Sequence, residues 1–394
     1  MQTVKMSKEQ IIFIKILSDY LNGRNTELAD EIDWDIILQY ARRHQVSGIV
    51  YHQAKEYMLP EIEEQFFKDM LGTYYYQINL EKDSKEIEKA LVREKIPYFI
   101  VKGPKVAEMF PIPKLRVMGD VDLVIHTNDR EKCHKLIQQF GYVCVSRRED
   151  REWQYYKNRI EIELHDRLVY KETVNGIGHE DFFNDCWKYV YEGELDWNFH
   201  LMFLIFHLRK HLMNKGVGFR QFMDLTVVAQ KAAINWAWIE EKLKETRMLA
   251  FAKRCYGFIY KWFGIRAPIM DEPEDAFFEE ASIKIFEDGV FGFGNADNVD
   301  SALINQVRFK RCPKAEMIRI ATRKLFPRCK DLKYVTAYSY LQKYPWLLPC
   351  AWIQRFYRGM KKDKWGTIVL SIKHAFVANE KVAHRTKILD QWRV

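Results

Sequence analysis

The sequence predicts an α+β protein, in which a small mixed β-sheet is flanked by helical regions on both sides. Apolar residues recur at helical spacing in the first part of the chain and again beyond Asp181. Between Ile96 and about Val169 the spacing changes to the two-residue alternation of strands, mixed with short helices. These changes divide the sequence into an N-terminal helical region at 1–95, a sheet core at 96–180, a helical domain at 181–300 and a basic helical region at 301–394.

Three helices are predicted in the N-terminal region. Apolar residues repeat at helical spacing over residues 11–21, and a second helix begins at Trp34, directly after the candidate N-cap residue Asp33. A long amphipathic helix is expected over residues 74–91. Its aromatic residues are assigned to packing between helices, because stripes of this kind usually lie in a core.

The central strand of the sheet core has two acidic residues within an apolar run, Asp120-Val121-Asp122-Leu123-Val124-Ile125. Alternate residues of a strand point to the same face, so Asp120 and Asp122 lie side by side. Unpaired carboxylates in apolar surroundings would repel each other and take up protons, which favours a divalent cation between them. The alternative is a structural pair satisfied by backbone N–H groups or by an arginine.

A second acidic strand follows at Ile160-Glu161-Ile162-Glu163-Leu164-His165. Its strict alternation places Glu161, Glu163 and His165 on one face and the aliphatic residues on the other. If this strand lies beside the Asp120 strand, Glu163 or Glu161 completes an all-oxygen site. Such sites hold one or two Mg²⁺ ions together with a bound triphosphate.

A candidate anion site precedes both strands, at Lys102-Gly103-Pro104. A strand is expected to end at this turn, and a helix with Pro104 in its first turn is expected to follow. The N-terminus of a helix attracts anions, Gly103 permits close approach of the backbone to a phosphate, and Lys102 adds a positive charge. The turn is therefore interpreted as a phosphate-binding site.

Taken in this order, these motifs resemble the polymerase-β-like nucleotidyltransferase superfamily. Within it, the sequence is most similar to an uncharacterised bacterial nucleotidyltransferase family marked by Lys-Gly, an Arg before Asp-x-Asp, and an acid-Leu-His strand. Here these motifs are Lys102-Gly103, Arg116, Asp120-Val121-Asp122 and Glu163-Leu164-His165, within a likeness that covers roughly residues 96–230. The usual Gly-Ser of the phosphate turn is Gly103-Pro104 here, with Lys102 as the expected substitute for the missing hydroxyl.

The resemblance implies a Mg²⁺-dependent (or Mn²⁺-dependent) transfer of a nucleoside monophosphate from an NTP to a hydroxyl acceptor. It implies that Asp120, Asp122 and Glu163 are both the catalytic and the metal-binding residues, and it favours Glu163 over Glu161. The residues that it places around the nucleotide are Lys102, Gly103, Arg116, Gly119 and His165. The acceptor is left open as a small molecule, a protein or RNA.

Some of the candidate residues have two interpretations. Arg116 either neutralises the phosphates or forms an ion pair that orders the loop before Asp120. His165 either orients the acceptor or makes a structural hydrogen bond. His207 and His211 have the spacing of zinc ligands on a helix, but no Glu follows the first histidine as in metalloproteases. Packing, or contact of His211 with the rim of the site together with Arg220 and Asp224, is therefore favoured.

Cysteine usage and hydropathy indicate the compartment. The seven cysteines are scattered and form no Cys-x-x-Cys pair, which is typical of a reducing environment and argues against a zinc site made of thiolates. The sequence has neither a recognisable leader nor an apolar run long enough for a membrane span. A cytoplasmic protein without a transmembrane segment is the expectation.

The C-terminal region differs from the rest in charge. Residues 301–394 contain 21 Lys and Arg against 5 Asp and Glu, which leaves the preceding residues net acidic. A basic surface of this kind fits an anionic partner such as nucleic acid, an acidic polymer or a membrane, and residues 345–353 are apolar enough to rest on a bilayer. The alternative is an ordinary solvated helical surface.

Three functional classes follow from the sequence. The first is an active nucleotidyltransferase, and the second is a nucleotide-binding module that has lost catalysis. The third is a binding protein that acts through its basic C-terminal region on an anionic polymer.

Overall fold

The computed structural model of the protein describes residues 5–28, 31–148, 151–170, 180–214, 216–290, 322, 326–361 and 387–394. The described fold is a mixed five-stranded sheet with helices before and after it in the chain. This confirms the predicted α+β class.

The main sheet has the strand order β1-β2-β5-β4-β3. Its strands are β1 (Tyr98–Val101), β2 (Asp120–Ile125), β3 (Val143–Arg147), β4 (Trp153–Lys157) and β5 (Ile160–His165). The two acidic strands, β2 and β5, are neighbours and run parallel, whereas the other pairs are antiparallel. Strand β2 lies inside the sheet, between β1 and β5, and the cover on both of its faces explains its nearly continuous apolar sequence.

Four helices precede the sheet: α1 (Lys8–Leu21), α2 (Trp34–His44), α3 (Ser47–Ala54) and α4 (Pro60–Arg93). The side chain of Asp33 caps α2 as predicted, by accepting a hydrogen bond from the N–H of Ile36. Helix α4 has 34 residues and begins 14 residues before the predicted start at Tyr74. The part of α4 before Tyr74 has no clear apolar face in the sequence because many of its residues are charged. Pro60 is nevertheless well suited to a first helical turn.

Two short helices lie within the sheet segment, α5 (Gly103–Ala107) and α6 (Arg130–Gln139). Beyond it come α7 (Glu180–Asn184), a small hairpin of β6 (Val190–Tyr191) and β7 (Glu194–Leu195), and then α8 (Trp197–Asn214), α9 (Phe219–Lys231), α10 (Trp236–Glu245), α11 (Leu249–Phe263) and α12 (Asp275–Asp288). None of the helices in the described ranges combines the length and the apolar character that crossing a membrane requires.

The helices on both sides of the sheet segment share one hydrophobic core. Phe13 of α1 lies 5.8 Å from Phe219 of α9 and 5.6 Å from Phe286 of α12, measured between ring centroids. The hydroxyl of Ser18 donates a hydrogen bond to the carbonyl oxygen of Phe263 in α11. Helical periodicity shows that each helix has an apolar face but does not identify its partner, so this association was not predicted.

The two faces of the sheet are covered differently. Leu123 of β2 and Ile162 of β5 pack in a second core with the end of α4 and with α6. The opposite face carries the acidic residues, and beyond them Val124 joins the core of the helical regions. The alternation of β2 and β5 therefore separates an apolar face from an acidic one, as the sequence predicts.

The described part of the C-terminal region contains α13 (Cys329–Leu332) and α14 (Leu348–Lys361). Its backbone contacts the edge strand β3, where the N–H of Arg147 donates to the carbonyl oxygen of Tyr334. Trp346 and Ile353 are each 70% exposed. Many of the basic residues counted in this region lie outside the described residues, and the anionic partner stays a prediction.

Candidate active site

The register of β2 and β5 sets the acidic residues in two facing pairs. Asp120 lies opposite Glu161, and Asp122 lies opposite Glu163. Asp122 is only 1% exposed, whereas the other three acids are partly buried. Because neighbouring strands are separated by about 5 Å, four carboxylates on one face must be neutralised by cations or by protonation.

A tight cluster forms around Asp122. Its Oδ1 atom lies 2.6 Å from Nζ of Lys102 and 3.0 Å from Nε2 of His165. The same histidine nitrogen lies 3.4 Å from Oε2 of Glu163. The amide of Gln154, on β4, donates a hydrogen bond to the other oxygen of Glu163. Three parts of the sequence motif, namely the Lys-Gly turn, the Asp-x-Asp strand and the acid-Leu-His strand, are thus in direct contact.

The pKa values in the cluster reflect this crowding. Burial alone would lower the pKa of His165, but the carboxylates of Asp122 and Glu163 outweigh it and raise the pKa to about 9. Burial alone would also lower the pKa of Lys102, but Asp122 and its acidic neighbours raise it. Burial would raise the pKa of Asp122, but Lys102 and His165 hold it well below its usual range. Lys102 and His165 are therefore the cations that balance the acids.

This cluster fits a divalent cation. Ligand atoms of Asp122, Glu163 and His165 lie within 4.8 Å of one another. Asp120 is close enough to Asp122 that burial and this neighbouring charge raise its pKa. The group differs from the predicted all-oxygen set, because His165 joins the two carboxylates and Asp120 lies beside them. The metal roles of Asp120, Asp122 and Glu163 stay predictions.

The phosphate turn departs from its expected form. Lys102 has φ 57° and ψ −120°, a conformation that residues other than glycine seldom adopt. Gly103 is buried, and a Cβ atom there would meet Nη1 of Arg116 and the carbonyl oxygen of Asp120 at ordinary contact distances of 3.4 and 3.5 Å. The strained residue is therefore Lys102 and not the adjacent glycine, and α5 after it has only five residues.

His200 supports this strained turn. Its Nε2 atom accepts a hydrogen bond of 2.8 Å from the backbone N–H of Lys102, and its ring stacks on Trp197. Burial and the charge of Lys102 lower the pKa of His200 to about 3, so the ring stays neutral and can accept. His200 could not be predicted from the sequence, because a lone histidine on an apolar helix has no recognisable pattern.

Two tyrosines lie at the exposed rim beside Asp120. The hydroxyl of Tyr76, on α4, donates a hydrogen bond to the carbonyl oxygen of Gly119, which is itself exposed. Burial, followed by the charges of Asp120 and Glu161, raises the pKa of Tyr76 to about 12. Tyr156, on β4, is 38% exposed and hydrogen bonds to Glu161. The sequence did not indicate either tyrosine.

Arg116 is engaged in a buried ion pair. Its Nε and Nη2 atoms lie 3.0 and 2.7 Å from the two carboxylate oxygens of Asp224, on α9. The side chains are 7% and 9% exposed. Arg220, one turn earlier on α9, donates to the carbonyl oxygen of Val117. The structure thus places Arg116 in the ion-pair alternative, where it fixes the loop that leads to β2.

We expect this pair to be structural. Replacing either partner alone, as Arg116→Met or Asp224→Leu, should lower the free energy of unfolding by about 3 kcal/mol, because each leaves a buried charge unpaired. The double variant should regain much of this loss, since two apolar side chains can pack in place of the pair. Urea unfolding of the four proteins tests this, and purely additive losses would contradict it.

His207 and His211, the pair with the spacing of zinc ligands, hydrogen bond to each other. Their Nε2 atoms are 2.8 Å apart. Among the described residues, the one group with the geometry of a metal site is the cluster of Asp122, Glu163 and His165, which contains neither of them. The helix that carries them, α8, is the same helix that contributes His200.

A family model described as uncharacterised nucleotidyltransferase matches residues 30–264. The chain belongs to this nucleotidyltransferase family. The match begins well before the residues on which the resemblance was based. The region shared with the family therefore runs from α2 to α11 and includes helices on both sides of the sheet segment. No curated protein and no solved structure matches the chain.

Proposed function

We propose that this nucleotidyltransferase moves a nucleoside monophosphate from an NTP to a hydroxyl acceptor by metal-dependent, in-line transfer. The observation that carries the proposal is the register that joins Asp122, Glu163 and His165 in one cluster with Lys102 at its edge. A purely structural group of buried acids would gain nothing from a further carboxylate such as Asp120 beside Asp122 and Glu163, whereas a site that holds a divalent cation needs several.

In this proposal Asp120, Asp122 and Glu163 hold Mg²⁺ or Mn²⁺, with His165 beside them. When bound, the metal would neutralise charge on the triphosphate and lower the pKa of the acceptor hydroxyl. Lys102 contributes positive charge at the phosphate turn. Glu163 accepts the proton of the acceptor hydroxyl, or favours its loss, while the rigid sheet holds the reacting groups in line.

Lys102 and His165 offset part of the negative charge of Asp122 and Glu163 through direct contacts. The same proposal includes a polymerase-β-like arrangement of the sheet core and a cytoplasmic location. It also includes an acceptor that is a small molecule, a protein or RNA. The competing function is a nucleotide-binding module without turnover, which the replacement of the usual serine by Pro104 favours.

The test is direct. The full-length protein is incubated with each of the four labelled NTPs, Mg²⁺ or Mn²⁺, and an extract that contains small molecules, proteins and RNA. We expect label to appear on an acceptor together with pyrophosphate, and only when the divalent cation is present. Binding of NTP without any transferred label or pyrophosphate would favour the binding module instead.

A further inference from the structure

Helix α14, in the C-terminal region, is apolar on two opposite sides. On its inner side Ala351 is buried, and Leu348 and Trp352 pack beside it in a small core that includes Leu341. The indole Nε1 atom of Trp352 donates a hydrogen bond of 2.8 Å to the carbonyl oxygen of Pro327. These contacts hold α14 against its own segment and explain why its inner side is apolar.

The outer side of α14 is both apolar and exposed. Cys350, Ile353 and Tyr357 are all exposed, and their spacings of three and four residues place them on one side of the helix. Trp346 precedes Cys350 by four residues, in the short turn Pro345–Leu347 that leads into α14. Trp346 and Ile353 are each 70% exposed, and Tyr357 is 59% exposed. We call these four side chains the α14 outer face.

A row of large apolar side chains differs from the single exposed ones that every protein surface contains. A helix that is apolar on opposite sides normally has both sides covered, because apolar area left in water costs free energy. Contiguous exposed apolar patches therefore mark surfaces that bind another molecule. The α14 outer face has this character, with the aliphatic side chain of Ile353 between the aromatic rings of Trp346 and Tyr357.

The charge around this face indicates the kind of partner. Residues 326–361 contain seven Lys and Arg, against a single acidic residue, Asp331. Lys343 lies just before the α14 outer face in the chain and Arg358 just after it, and both are exposed. A strongly basic segment attracts a negatively charged surface, so the partner has to combine apolar and anionic groups.

A lipid bilayer with anionic headgroups combines these groups, whereas nucleic acid fits the face less well. Nucleic acid is bound through cations along its backbone and through aromatic rings that stack on bases. Here the centre of the face is Ile353, which has no ring to stack. Trp and Tyr favour the boundary between water and lipid, and long basic side chains can reach the headgroups from beside an apolar stripe.

We propose that the α14 outer face binds the surface of an anionic lipid bilayer. The helix lies along the boundary between headgroups and acyl chains, with Trp346 and Ile353 inserted and the basic residues of the segment at the lipid phosphates. The segment is joined to the main sheet, because the N–H of Arg147 in β3 donates a hydrogen bond of 3.2 Å to the carbonyl oxygen of Tyr334. A bound bilayer therefore holds the sheet and its candidate active site near the membrane surface. This inference goes beyond the proposed nucleotidyl transfer and does not depend on it.

Cosedimentation of the full-length protein with vesicles tests the proposal. One set of vesicles is phosphatidylcholine alone, and the other is phosphatidylcholine and phosphatidylserine in equal parts. We expect binding to the anionic vesicles at low salt, little binding to the neutral ones, and a fall in binding as the salt concentration rises. Ile353→Ser should weaken binding about tenfold or more, because it removes a large apolar side chain from the acyl region. Trp346→Ser should act in the same direction, whereas Ile353→Leu should bind as tightly as the unaltered protein.

Leu59→Ser is the matched control, because Leu59 is also 70% exposed but lies at the start of α4. It should leave vesicle binding unchanged, and circular dichroism checks that every variant keeps its helix content. If the unaltered protein does not bind anionic vesicles at low salt, the proposal is wrong. It is also wrong if Leu59→Ser weakens binding as much as Ile353→Ser does.

Two further results would assign the α14 outer face to another partner and so overturn the proposal. One is binding to polyuridylic acid without binding to vesicles, which would indicate nucleic acid. The other is self-association that Ile353→Ser abolishes, again without vesicle binding, which would indicate a second copy of the chain. Neither result bears on nucleotidyl transfer, which the labelled NTPs test separately.

Discussion

Asp122→Asn should abolish nucleotidyl transfer, with a fall in rate of at least about two to three orders of magnitude. Asp122 is the most buried acid of the site, and it contacts both cations, at 2.6 Å from Lys102 and 3.0 Å from His165. An amide in its place has no net charge to hold a divalent cation. The initial rate of label transfer measures the effect, and a thermal melt with and without Mg²⁺ measures loss of metal binding.

The same substitution should also lower the melting temperature in the absence of metal, because it leaves the charges of Lys102 and His165 without their nearest partner. A matched control is Asp185→Asn. Asp185 also lies 2.6 Å from a lysine, Lys188, but the side chains of that pair are 56% and 69% exposed. The control should change neither rate nor stability by a measurable amount, since exposed ion pairs contribute little. Full activity in a folded Asp122→Asn protein would show that the assignment of Asp122 to the active site is wrong.

Local patterns predicted the two acidic strands of the candidate site and which of their residues share a face. The alternation in β2 and β5 identifies which residues share a face, and that periodicity is a direct consequence of strand geometry. The sequence left the adjacency of the two strands as a condition for the site, and the structure meets this condition with a register that sets Asp122 opposite Glu163. The Lys-Gly turn was also placed correctly, at the end of β1 and beside Asp122.

Contacts between distant parts of the chain were not predictable. His200 is 98 residues away from Lys102, and Asp224 is 108 residues away from Arg116. Such pairs depend on how α8 and α9 pack, which periodicity does not specify. The strain at Lys102 was not predicted for another reason. Glycine is the usual residue at a positive φ, so the sequence suggested that Gly103, and not Lys102, has the unusual conformation. Here a hydrogen bond to His200 holds the non-glycine residue in that conformation instead.

Lys102 links the two sides of the site. Its side chain neutralises Asp122 on the sheet, its backbone binds His200 on α8, and Phe203 covers its ammonium group. A residue in a strained conformation persists only where its surroundings fix it from several directions. The candidate site therefore includes residues from both the sheet core and the helices beyond it, which the sequence analysis assigned to separate regions divided at about residue 180.

Glu163→Gln and Glu161→Gln form a matched pair, because both remove one charge from the same face of β5. We expect Glu163→Gln to abolish transfer while it largely preserves nucleotide binding, and Glu161→Gln to have little effect. Glu163 lies opposite Asp122 and within 3.4 Å of His165, whereas Glu161 lies opposite Asp120 at the rim.

Misfolding is not expected to account for this difference. The amide oxygen of the new glutamine can still accept the hydrogen bond that Gln154 donates to Glu163. Rates of label transfer and calorimetric NTP affinities for the two variants provide the comparison, with urea unfolding as the check on stability. If Glu161→Gln is inactive and Glu163→Gln retains activity, the metal lies nearer to Asp120 and the exposed rim than the cluster around Asp122 indicates. Equal loss in both variants would mean that transfer needs both glutamates, one from each facing pair.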